Sequence, residues 1–219
     1  MTILAVGDSF TFGAELPGIP PDLGIFGNDY NKQIIDPSPL AWPQLLGNKL
    51  QQPVTNLGLV GSSNSRIFRR SIQACSTNTY DLVVCAWTSL ERMDITYQGK
   101  ECATSAGNPV WPWVKAYYLD HYTVDHATET WLAQLLGLQS YFKQRQQQYI
   151  FVNAINPFIS QKYGHLVDQI DQTYYLNWNS SFQSRTHGLP QGPRGHFLEE
   201  GHQVVAQQLF EFYQHLKMS

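Results

Sequence analysis

A chain of 219 residues with a formal charge of −3 is long enough for one α/β domain and leaves little room for two. With 42% hydrophobic and 13% aromatic residues it can bury a substantial core, which excludes an intrinsically disordered chain. The charge also lacks the basic excess of nucleic-acid-binding proteins, and the arginines at 66, 69 and 70 are expected on one helix face.

The cysteines and the N-terminus exclude further classes. Cys75, Cys85 and Cys102 have no metal-ligand spacing, and an odd number of cysteines cannot all pair internally. We therefore expect no disulfide framework, no metal and no cofactor, with Cys85 as a buried thiol in an apolar run. The N-terminus lacks the pattern of a signal peptide, and no run reaches the roughly 18 apolar residues of a membrane span. We expect synthesis in the cytoplasm and no membrane partner.

The first element is a short strand that ends in a turn. Apolar and β-branched residues 2–6 run into Gly7-Asp8-Ser9, and a second glycine follows at position 13. This pattern predicts a buried strand whose carboxyl end carries the turn, which is where ligands bind in open α/β sheets. A serine there, at the start of a helix, lies beside backbone N–H groups that can stabilise an oxyanion. A phosphate-binding turn or an ordinary strand-to-helix turn has the same pattern.

The middle of the chain alternates between loops, helices and strands. Residues 17–40 are rich in Pro, Gly, Asp and Asn, which predicts a long loop insert that shapes a site or a contact surface. A helical period over 41–50 precedes a second strand at 53–57. The glycine- and serine-rich loop that follows ends at a helix, for which Asn64 or Ser65 is the expected cap.

The second half continues the alternation. Residues 81–87 are apolar throughout, which predicts a central strand of a parallel sheet. An irregular, aromatic-rich insert is expected at about 97–125, followed by a helix over 126–146, a strand at 149–154 and a final helix from about 199 to 216. The alternation predicts a three-layer α/β/α sandwich with a central parallel sheet of about five strands, in one domain spanning residues 1–219.

Several motifs together resemble the SGNH, or GDSL, hydrolases, a family of esterases and deacetylases with a flavodoxin-like fold. Gly7-Asp8-Ser9 matches the nucleophile block, and the segment 56–61 resembles the second block, with Gly61 at the position of the oxyanion glycine. His196 stands six residues before His202, as the family's catalytic histidine stands before a Gly-His histidine. The segments 87–92 and 61–64 are most similar to the phage-encoded branch of the family. The resemblance covers nearly the whole chain.

The resemblance implies a serine hydrolase site. A serine hydroxyl is a weak nucleophile and needs a base within hydrogen-bond reach, and a histidine titrates in the right range for that task. Ser9 is then the nucleophile and His196 the general base. The N–H groups of Ser9 and Gly61 form the oxyanion hole with a donor from the third loop, residues 87–92 after the third predicted strand. His196 as a surface or capping residue is the plain alternative. His202 is expected to be structural, beneath the site.

Two positions depart from the family's pattern. The asparagine that donates its side-chain amide to the oxyanion is replaced by Ser89, with Asn64 as a second candidate donor. The family's aspartate, three residues before the catalytic histidine, is replaced by Pro193. This leaves either a Ser–His dyad oriented by a backbone carbonyl or a carboxylate from elsewhere, such as Glu91 or Glu199. Asp8 and Arg92 are further charged residues expected near the site.

Three functions follow as hypotheses. The first is a metal-independent ester hydrolase that works through an acyl-enzyme on a small ester or an O-acylated carbohydrate, as the resemblance implies. The aromatic residues of the insert then either wall the site or pack a lid or subunit contact; they are Trp111, Trp113, Tyr117 and Tyr118. The second is a catalytically weakened binding or assembly module, self-associating or associated with a virion in a phage particle. The third is a flavodoxin-like phosphate or flavin binder, which does not need the late pair of histidines.

Overall fold

The computed structural model describes residues 2–20, 35–97, 100–107, 111–155 and 161–218. Its strands are β1 (Ile3–Val6), β2 (Val54–Asn56), β3 (Leu82–Trp87), β4 (Met93–Tyr97), β5 (Lys100–Thr104) and β6 (Tyr149–Asn153). Its helices are α1 (Ser9–Phe12), α2 (Trp42–Leu50), α3 (Asn64–Thr77), α4 (Pro112–Asp120), α5 (Val124–Gln144), α6 (Gly164–Val167), α7 (Phe182–Arg185) and α8 (Glu199–Met218). Single 3₁₀ turns lie at Gln161–Tyr163 and Gln172–Tyr174.

The central sheet is parallel and has the strand order β2-β1-β3-β6. Strand β1 lies inside it, with Ile3 opposite Val54 on one side and opposite Leu82 on the other. The predicted parallel sheet is therefore confirmed, but among the described residues it has four regular strands instead of about five. In place of a fifth strand, two isolated parallel bridges join β6 to Tyr175 and Ser181.

Alternate side chains of the strands enter two separate cores. Leu4 and Val6 of β1 lie in the core that α3 and α5 cover, whereas Ile3 and Ala5 lie in the core that α2 and α8 cover. Successive side chains of a strand point to opposite faces, so a sheet covered on both sides has apolar residues at every strand position. The predicted three-layer α/β/α sandwich is confirmed.

The segment predicted as an irregular insert, about 97–125, is mostly regular. Its beginning belongs to the antiparallel hairpin β4–β5, and α4 follows. Two ion pairs hold this hairpin to α3, since Arg66 contacts Asp94 at 3.2 Å and Glu101 at 2.6 Å. The prediction was wrong because the hairpin lies outside the main sheet and has none of the long apolar runs that mark the core strands. Arg69 contacts the same two carboxylates, so Arg66 and Arg69, two of the three arginines predicted on one helix face, do share it.

The N-terminal cap of α3 also differs from the prediction. Ser63 is the cap, because its hydroxyl accepts the N–H of Arg66 at 3.2 Å. The predicted caps, Asn64 and Ser65, are the first two residues of the helix itself. The same Ser63 hydroxyl donates to Asp94 at 2.7 Å, so the beginning of α3 is tied to the hairpin.

Several predictions concern the chain as a whole. The three cysteines are buried and unpaired with one another, and burial raises the pKa of the Cys85 thiol to about 12. In the part of the chain that the structure describes, no cluster of His, Cys, Asp and Glu side chains is arranged to hold a metal ion, and no helix has the length and apolarity to cross a bilayer. Most of the predicted loop insert at 17–40 falls on residues 21–34, outside the described residues.

A buried histidine joins the last helix to the first long one. His202 of α8 is 1% exposed, and its Nδ1 accepts the N–H of Trp42 at 3.1 Å. This N–H belongs to the first turn of α2, where amide groups have no partner within the helix. Burial, and secondarily the nearby His196, lowers the pKa of His202 to about 3, so the ring stays neutral and keeps its acceptor. His202 thus has a structural role, as the sequence predicts.

The burial of neutral His202 predicts a pH-dependent stability. Below pH ~6.5 the unfolded chain binds a proton at this residue that the folded chain excludes, so the free energy of unfolding decreases as the pH falls. His202→Asn keeps an acceptor near the Nδ1 position and removes the titrating ring. We expect wild type to lose about 2 kcal/mol more than this variant between pH 7 and pH 5.

Urea unfolding at the two pH values measures this difference. The exposed His187 gives the matched control, because His187→Asn should leave the wild-type pH dependence unchanged. Equal losses for wild type and His202→Asn would contradict the assigned role of burial.

Candidate active site

The predicted nucleophile turn lies at the carboxyl end of β1. Gly7 fits there because a Cβ atom would lie 2.0 Å from the hydroxyl of Thr11. Asp8 is the N-terminal cap of α1, accepting the N–H of Phe10 at 3.0 Å. Ser9 is consequently the first residue of α1, and it is 2% exposed. Local contacts within the turn therefore fix the backbone of Ser9 independently of the other loops of the site.

Asp8 connects this turn to the loop after β3. Its carboxylate is fully buried and accepts the Thr88 hydroxyl at 2.6 Å and the Arg92 guanidinium at 2.9 Å. The backbone of Thr88 is held in turn by Asn64, whose Oδ1 accepts its N–H at 2.8 Å and whose Nδ2 donates to its carbonyl at 3.1 Å. Asp8 and Arg92 thus lie beside the predicted nucleophile, and the amide of Asn64 braces the third loop.

The loop after β2 packs directly on α1. Asn56 donates from Nδ2 to the carbonyl of Thr11 at 2.8 Å and accepts the N–H of Gly58 at 2.8 Å. A Cβ atom on Gly58 would lie 2.5 Å from the backbone nitrogen of Phe12, so only glycine fits this approach. Gly61, three residues further, is buried and has a φ of 80°, in the region that favours glycine. Because β1 lies between β2 and β3, the loops of Gly61 and Ser89 flank the Ser9 turn.

The last loop before α8 carries His196 at the same edge of the sheet as the Ser9 turn. Gly192 donates its N–H to the carbonyl of His196 at 2.8 Å, and Gly195 has a φ of 81°, so residues 192–196 form a tight turn. Phe197 anchors the turn in the core, where it stacks on Phe10 with ring centroids 5.0 Å apart. A Cβ atom on Gly201 would lie 2.5 Å from the Cβ of Phe197, which explains why a glycine precedes the structural histidine of α8.

Ser9 and His196 are in direct contact. The Nε2 atom of His196 lies 2.8 Å from the Ser9 Oγ. The imidazole ring also packs on Phe10, with ring centroids 5.0 Å apart, which restricts its rotation. Two side chains 187 residues apart in sequence, predicted to act together, are therefore placed within hydrogen-bond distance.

The other ring nitrogen of His196 contacts a carboxylate that the sequence analysis missed. Glu15 Oε2 lies 2.7 Å from Nδ1 and also accepts the backbone N–H of His196 at 3.2 Å. Oε1 accepts the N–H of Arg194 at 2.9 Å. Desolvation raises the pKa of Glu15, but hydrogen bonds from the Arg194 N–H and from the ring and N–H of His196 outweigh it and leave the pKa below its usual value. The carboxylate therefore stays ionised.

Local backbone geometry aims Glu15 at the histidine turn. Helix α1 ends at Gly13, which has a φ of 85° and donates its N–H to the Ser9 carbonyl at 3.0 Å. Glu15 itself has a φ of 67°, a conformation that non-glycine residues seldom adopt and that clusters at functional sites. On the facing turn, a Cβ atom on Gly192 would lie 2.6 Å from the Glu15 Cδ. The two turns fit together closely.

The predicted partners of His196 need correction. The carboxylate at its Nδ1 belongs to Glu15, and it is neither Glu91 nor Glu199, nor is it a backbone carbonyl. Glu199 lies exposed in the first turn of α8, and Glu91 lies in the third loop, where its carbonyl accepts the Tyr118 hydroxyl at 2.7 Å. The available signal was a glutamate two residues past the glycine that ends α1. Sequence spacing gives no reason to connect it with a turn 181 residues away.

The aromatic residues of the insert separate into two groups. Tyr118 braces the insert, because its hydroxyl donates to the third loop at Glu91 and lies 3.3 Å from the carbonyl of Thr104. Trp111 and Trp113 stack on each other with ring centroids 6.0 Å apart, and Trp113 is 47% exposed. Tyr118 therefore holds the third loop in place, whereas Trp111 and Trp113 lie at the surface at the beginning of α4.

The described fold is similar to that of several solved esterases. No family profile and no curated protein matches the sequence. Among solved structures, the psychrotrophic esterase EstA from Pseudoalteromonas sp. is similar over 100% of this chain and 99% of its own, with 14% identity and a TM-score of 0.56. A carbohydrate esterase family 2 enzyme from Corynascus thermopiles (Myceliophthora fergusii) is similar over 100% of this chain and 67% of its own, with 13% identity and a TM-score of 0.56. Axe2, an acetylxylan esterase from Geobacillus stearothermophilus, has 16% identity and a TM-score of 0.51 over 96% of this chain and 93% of its own. At these identities the likeness establishes the fold.

The buried ion pair beneath Ser9 gives a stability prediction. Asp8 is fully buried, and the Arg92 side chain is 15% exposed. Removing one partner of a buried pair leaves an uncompensated charge, so Arg92→Met should lower the free energy of unfolding by about 3 kcal/mol or more. Chemical denaturation measures the change.

A second arginine of the same region serves as the control. Arg69 is 49% exposed in its side chain and shares its partners with Arg66. Arg69→Met should therefore cost less than about 1 kcal/mol. Equal effects of the two substitutions would show that the Asp8 pair does not stabilise the turn more than a surface pair does.

Proposed function

We propose that this chain is a serine ester hydrolase of the SGNH type, with Ser9 as the nucleophile, His196 as the general base and Glu15 as the acid of the triad. The proposal rests on one observation, the continuous row from Ser9 Oγ to His196 Nε2 at 2.8 Å and from His196 Nδ1 to Glu15 Oε2 at 2.7 Å. A triad is recognised by this geometry and these roles, and the order of its members along the chain varies between folds. The fold shared with esterases supports the reaction class.

In the first half of the reaction Ser9 is acylated. His196 Nε2 takes the hydroxyl proton as Ser9 Oγ bonds to the ester carbonyl carbon, and the carbonyl electron pair moves to its oxygen. The ionised Glu15 holds the Nδ1 proton and stabilises the imidazolium that forms, without itself being protonated. The tetrahedral intermediate then expels the alcohol, which takes the proton from Nε2. The product is an acyl-enzyme with neutral His196.

In the second half water replaces the alcohol. His196 Nε2 takes a proton from a water molecule as the water oxygen bonds to the acyl carbon. The bond between that carbon and Ser9 Oγ then breaks, and His196 returns the proton to Ser9 Oγ. The carboxylic acid departs and the free enzyme is restored. Glu15 has the same function in both halves, because the imidazolium forms in each.

The oxyanion that forms in both halves needs fixed donors. We assign this role to the backbone N–H groups of Ser9 and Gly61, on neighbouring loops, with the Ser89 hydroxyl as the third donor. Asn64 is a weaker candidate, since its amide already donates to Thr88. A serine hydroxyl is shorter and less fixed than an amide, so we expect slower turnover than in family members that retain the asparagine.

The substrate class comes from the similar proteins. Axe2 is an acetylxylan esterase, and the enzyme from Corynascus thermopiles is a carbohydrate esterase. We propose a small ester, and in particular an O-acylated carbohydrate, as the substrate of this chain. The resemblance to the phage-encoded branch, an association with a virion and the cytoplasmic location stay predictions from the sequence.

A catalytically weakened binding or assembly module is the competing function. The substitution of the family's oxyanion asparagine by Ser89 favours it. The complete row of Ser9, His196 and Glu15 opposes it, because a binding module has no need of a carboxylate on the histidine. The same row opposes a phosphate-binding turn, in which the serine hydroxyl would face the ligand.

Labelling with a fluorophosphonate tests the nucleophile. This reagent modifies an activated serine, so we expect label on wild type and none on Ser9→Ala or on His196→Ala. Circular dichroism confirms that each protein is folded. Folded wild type without label would overturn the hydrolase proposal in favour of the binding module.

The role of Glu15 makes a separate prediction about turnover. Glu15→Gln removes the charge that stabilises the imidazolium, and we expect kcat for p-nitrophenyl acetate to fall by about 10²- to 10⁴-fold with little change in KM. Glu91→Gln and Glu199→Gln alter the carboxylates that the sequence suggested instead, and each should stay within about threefold of wild type. A reversed pattern would assign the acid to one of those residues.

A further inference from the structure

One side-chain amide on the neighbouring helix holds the beginning of the third loop. Asn64, the first residue of α3, accepts the Thr88 N–H with its Oδ1 at 2.8 Å and donates from Nδ2 to the Thr88 carbonyl at 3.1 Å. Both residues are buried, Asn64 with 6% and Thr88 with 1% of its surface exposed. The N–H and the carbonyl belong to the two planar peptide groups that flank Thr88, so the amide fixes the backbone on both sides of this residue.

Ser89 follows directly after this pair of bonds. It is half-buried, and within the part of the chain that the structure describes its hydroxyl has no hydrogen-bond partner. The Thr88 hydroxyl, by contrast, donates to Asp8 at 2.6 Å. Of these two neighbouring hydroxyls, that of Ser89 is therefore the one available to donate to a ligand, as an oxyanion donor must.

The short side chain of Ser89 makes its hydroxyl depend on the backbone. Serine has a single side-chain torsion, so its oxygen occupies one of three staggered positions about a fixed Cα–Cβ bond. An asparagine, which the family's pattern has at this position, can also rotate about a second torsion and so compensate for a shift of the backbone. With serine, only a fixed backbone can place the donor accurately.

The other contacts of the third loop act elsewhere. Asp8 holds the side chain of Thr88, and Tyr118 donates to the carbonyl of Glu91, two residues beyond Ser89. Among the described residues, the peptide group between Thr88 and Ser89 is held by the bond from Asn64 Nδ2 alone. Asn64 is thus the residue that determines the orientation of this peptide group.

We propose that Asn64 is a positioning residue for the oxyanion hole, which holds the peptide group before Ser89 so that the Ser89 hydroxyl can donate to the oxyanion. This inference rests on the proposed function, and it gives Asn64 a role other than direct donation. A residue that acts only through Ser89 has no effect on turnover once the Ser89 hydroxyl is removed. That dependence separates a positioning residue from a direct donor and from a purely structural contact.

A double-mutant cycle of Asn64→Ala and Ser89→Ala tests the dependence with p-nitrophenyl acetate as substrate. We expect each single variant to lower kcat at least tenfold with KM within threefold of wild type, because the lost contact is made to the transition state. The double variant should have a kcat within threefold of that of Ser89→Ala. A kcat reduced by the product of the two single effects would overturn the proposal and give Asn64 an independent role, such as that of a direct donor.

Gln139 provides the matched control, because it makes the same pair of bonds at another place. It is 7% exposed, its Oε1 accepts the N–H of Asp171 at 2.8 Å, and its Nε2 donates to the carbonyl of Gln169 at 3.0 Å. Asp171 lies near Tyr149, at the beginning of β6 and so at the edge of the sheet opposite Ser9. Gln139→Ala should lower the urea midpoint about as much as Asn64→Ala and leave kcat unchanged. A similar loss of kcat in Gln139→Ala would attribute the effect of Asn64 to stability and overturn the proposal.

Asn64→Asp replaces Asn64→Ala in the cycle if the alanine variant does not fold. Its carboxylate still accepts the Thr88 N–H, and only the bond to the Thr88 carbonyl is lost. We expect kcat to fall at least threefold when the Ser89 hydroxyl is present and to stay unchanged when it is absent. A wild-type kcat in the folded Asn64 variants, or in Ser89→Ala, would overturn the proposal.

Wild type itself separates this inference from the proposed function. If wild type hydrolyses the ester and takes the fluorophosphonate label, the hydrolase stands, whatever the cycle shows about Asn64. If folded wild type does neither, the proposed function fails and the role of Asn64 fails with it.

Discussion

The contact between Glu15 and His196 is the interaction on which the arrangement of the site depends. A single carboxylate accepts the ring N–H of His196 and two backbone N–H groups of the same turn. Hydrogen bonds to an ionised acceptor are shorter and stronger than neutral ones, so this group fixes both the position of the turn and the plane of the ring. With Nδ1 held by Glu15, Nε2 is left to face Ser9. The loop before α8 and the turn after α1 are thereby joined across almost the whole chain.

The sheet supplies the frame for that contact. In a parallel sheet the carboxyl ends of neighbouring strands meet at one edge, so the loops after β2, β1 and β3 lie side by side. Asp8 then connects two of these loops through Thr88 and Arg92, and Asn56 connects the third to α1. These buried polar contacts are satisfied within the loops themselves, which lets Ser9 occupy a fixed position without a long helix behind it.

In the proposed mechanism the acid comes from a different part of the chain than in the pattern that the sequence resembles. The related pattern places an aspartate on the histidine turn, where this chain has Pro193. Here a glutamate on the serine turn reaches the same ring nitrogen, and its longer side chain spans the gap between the two turns. Gly192 leaves the space for it, since a Cβ atom there would collide with the Glu15 carboxyl group. The imidazole needs a correctly placed carboxylate, whatever its position in sequence.

The sequence by itself determined the α/β architecture, the four core strands, the long helices and the pairing of Ser9 with His196. Apolar periodicity and turn residues carry that information within about ten residues, because they report local burial and backbone conformation. The sequence did not predict the hairpin β4–β5 or the contact of Glu15 with His196. Both depend on contacts between distant segments, the hairpin on ion pairs with α3 and Glu15 on a left-handed turn that faces residues 192–196. Only the tertiary structure decides which distant group a polar side chain meets, because a charged residue is compatible with many surroundings and its partner leaves no local trace.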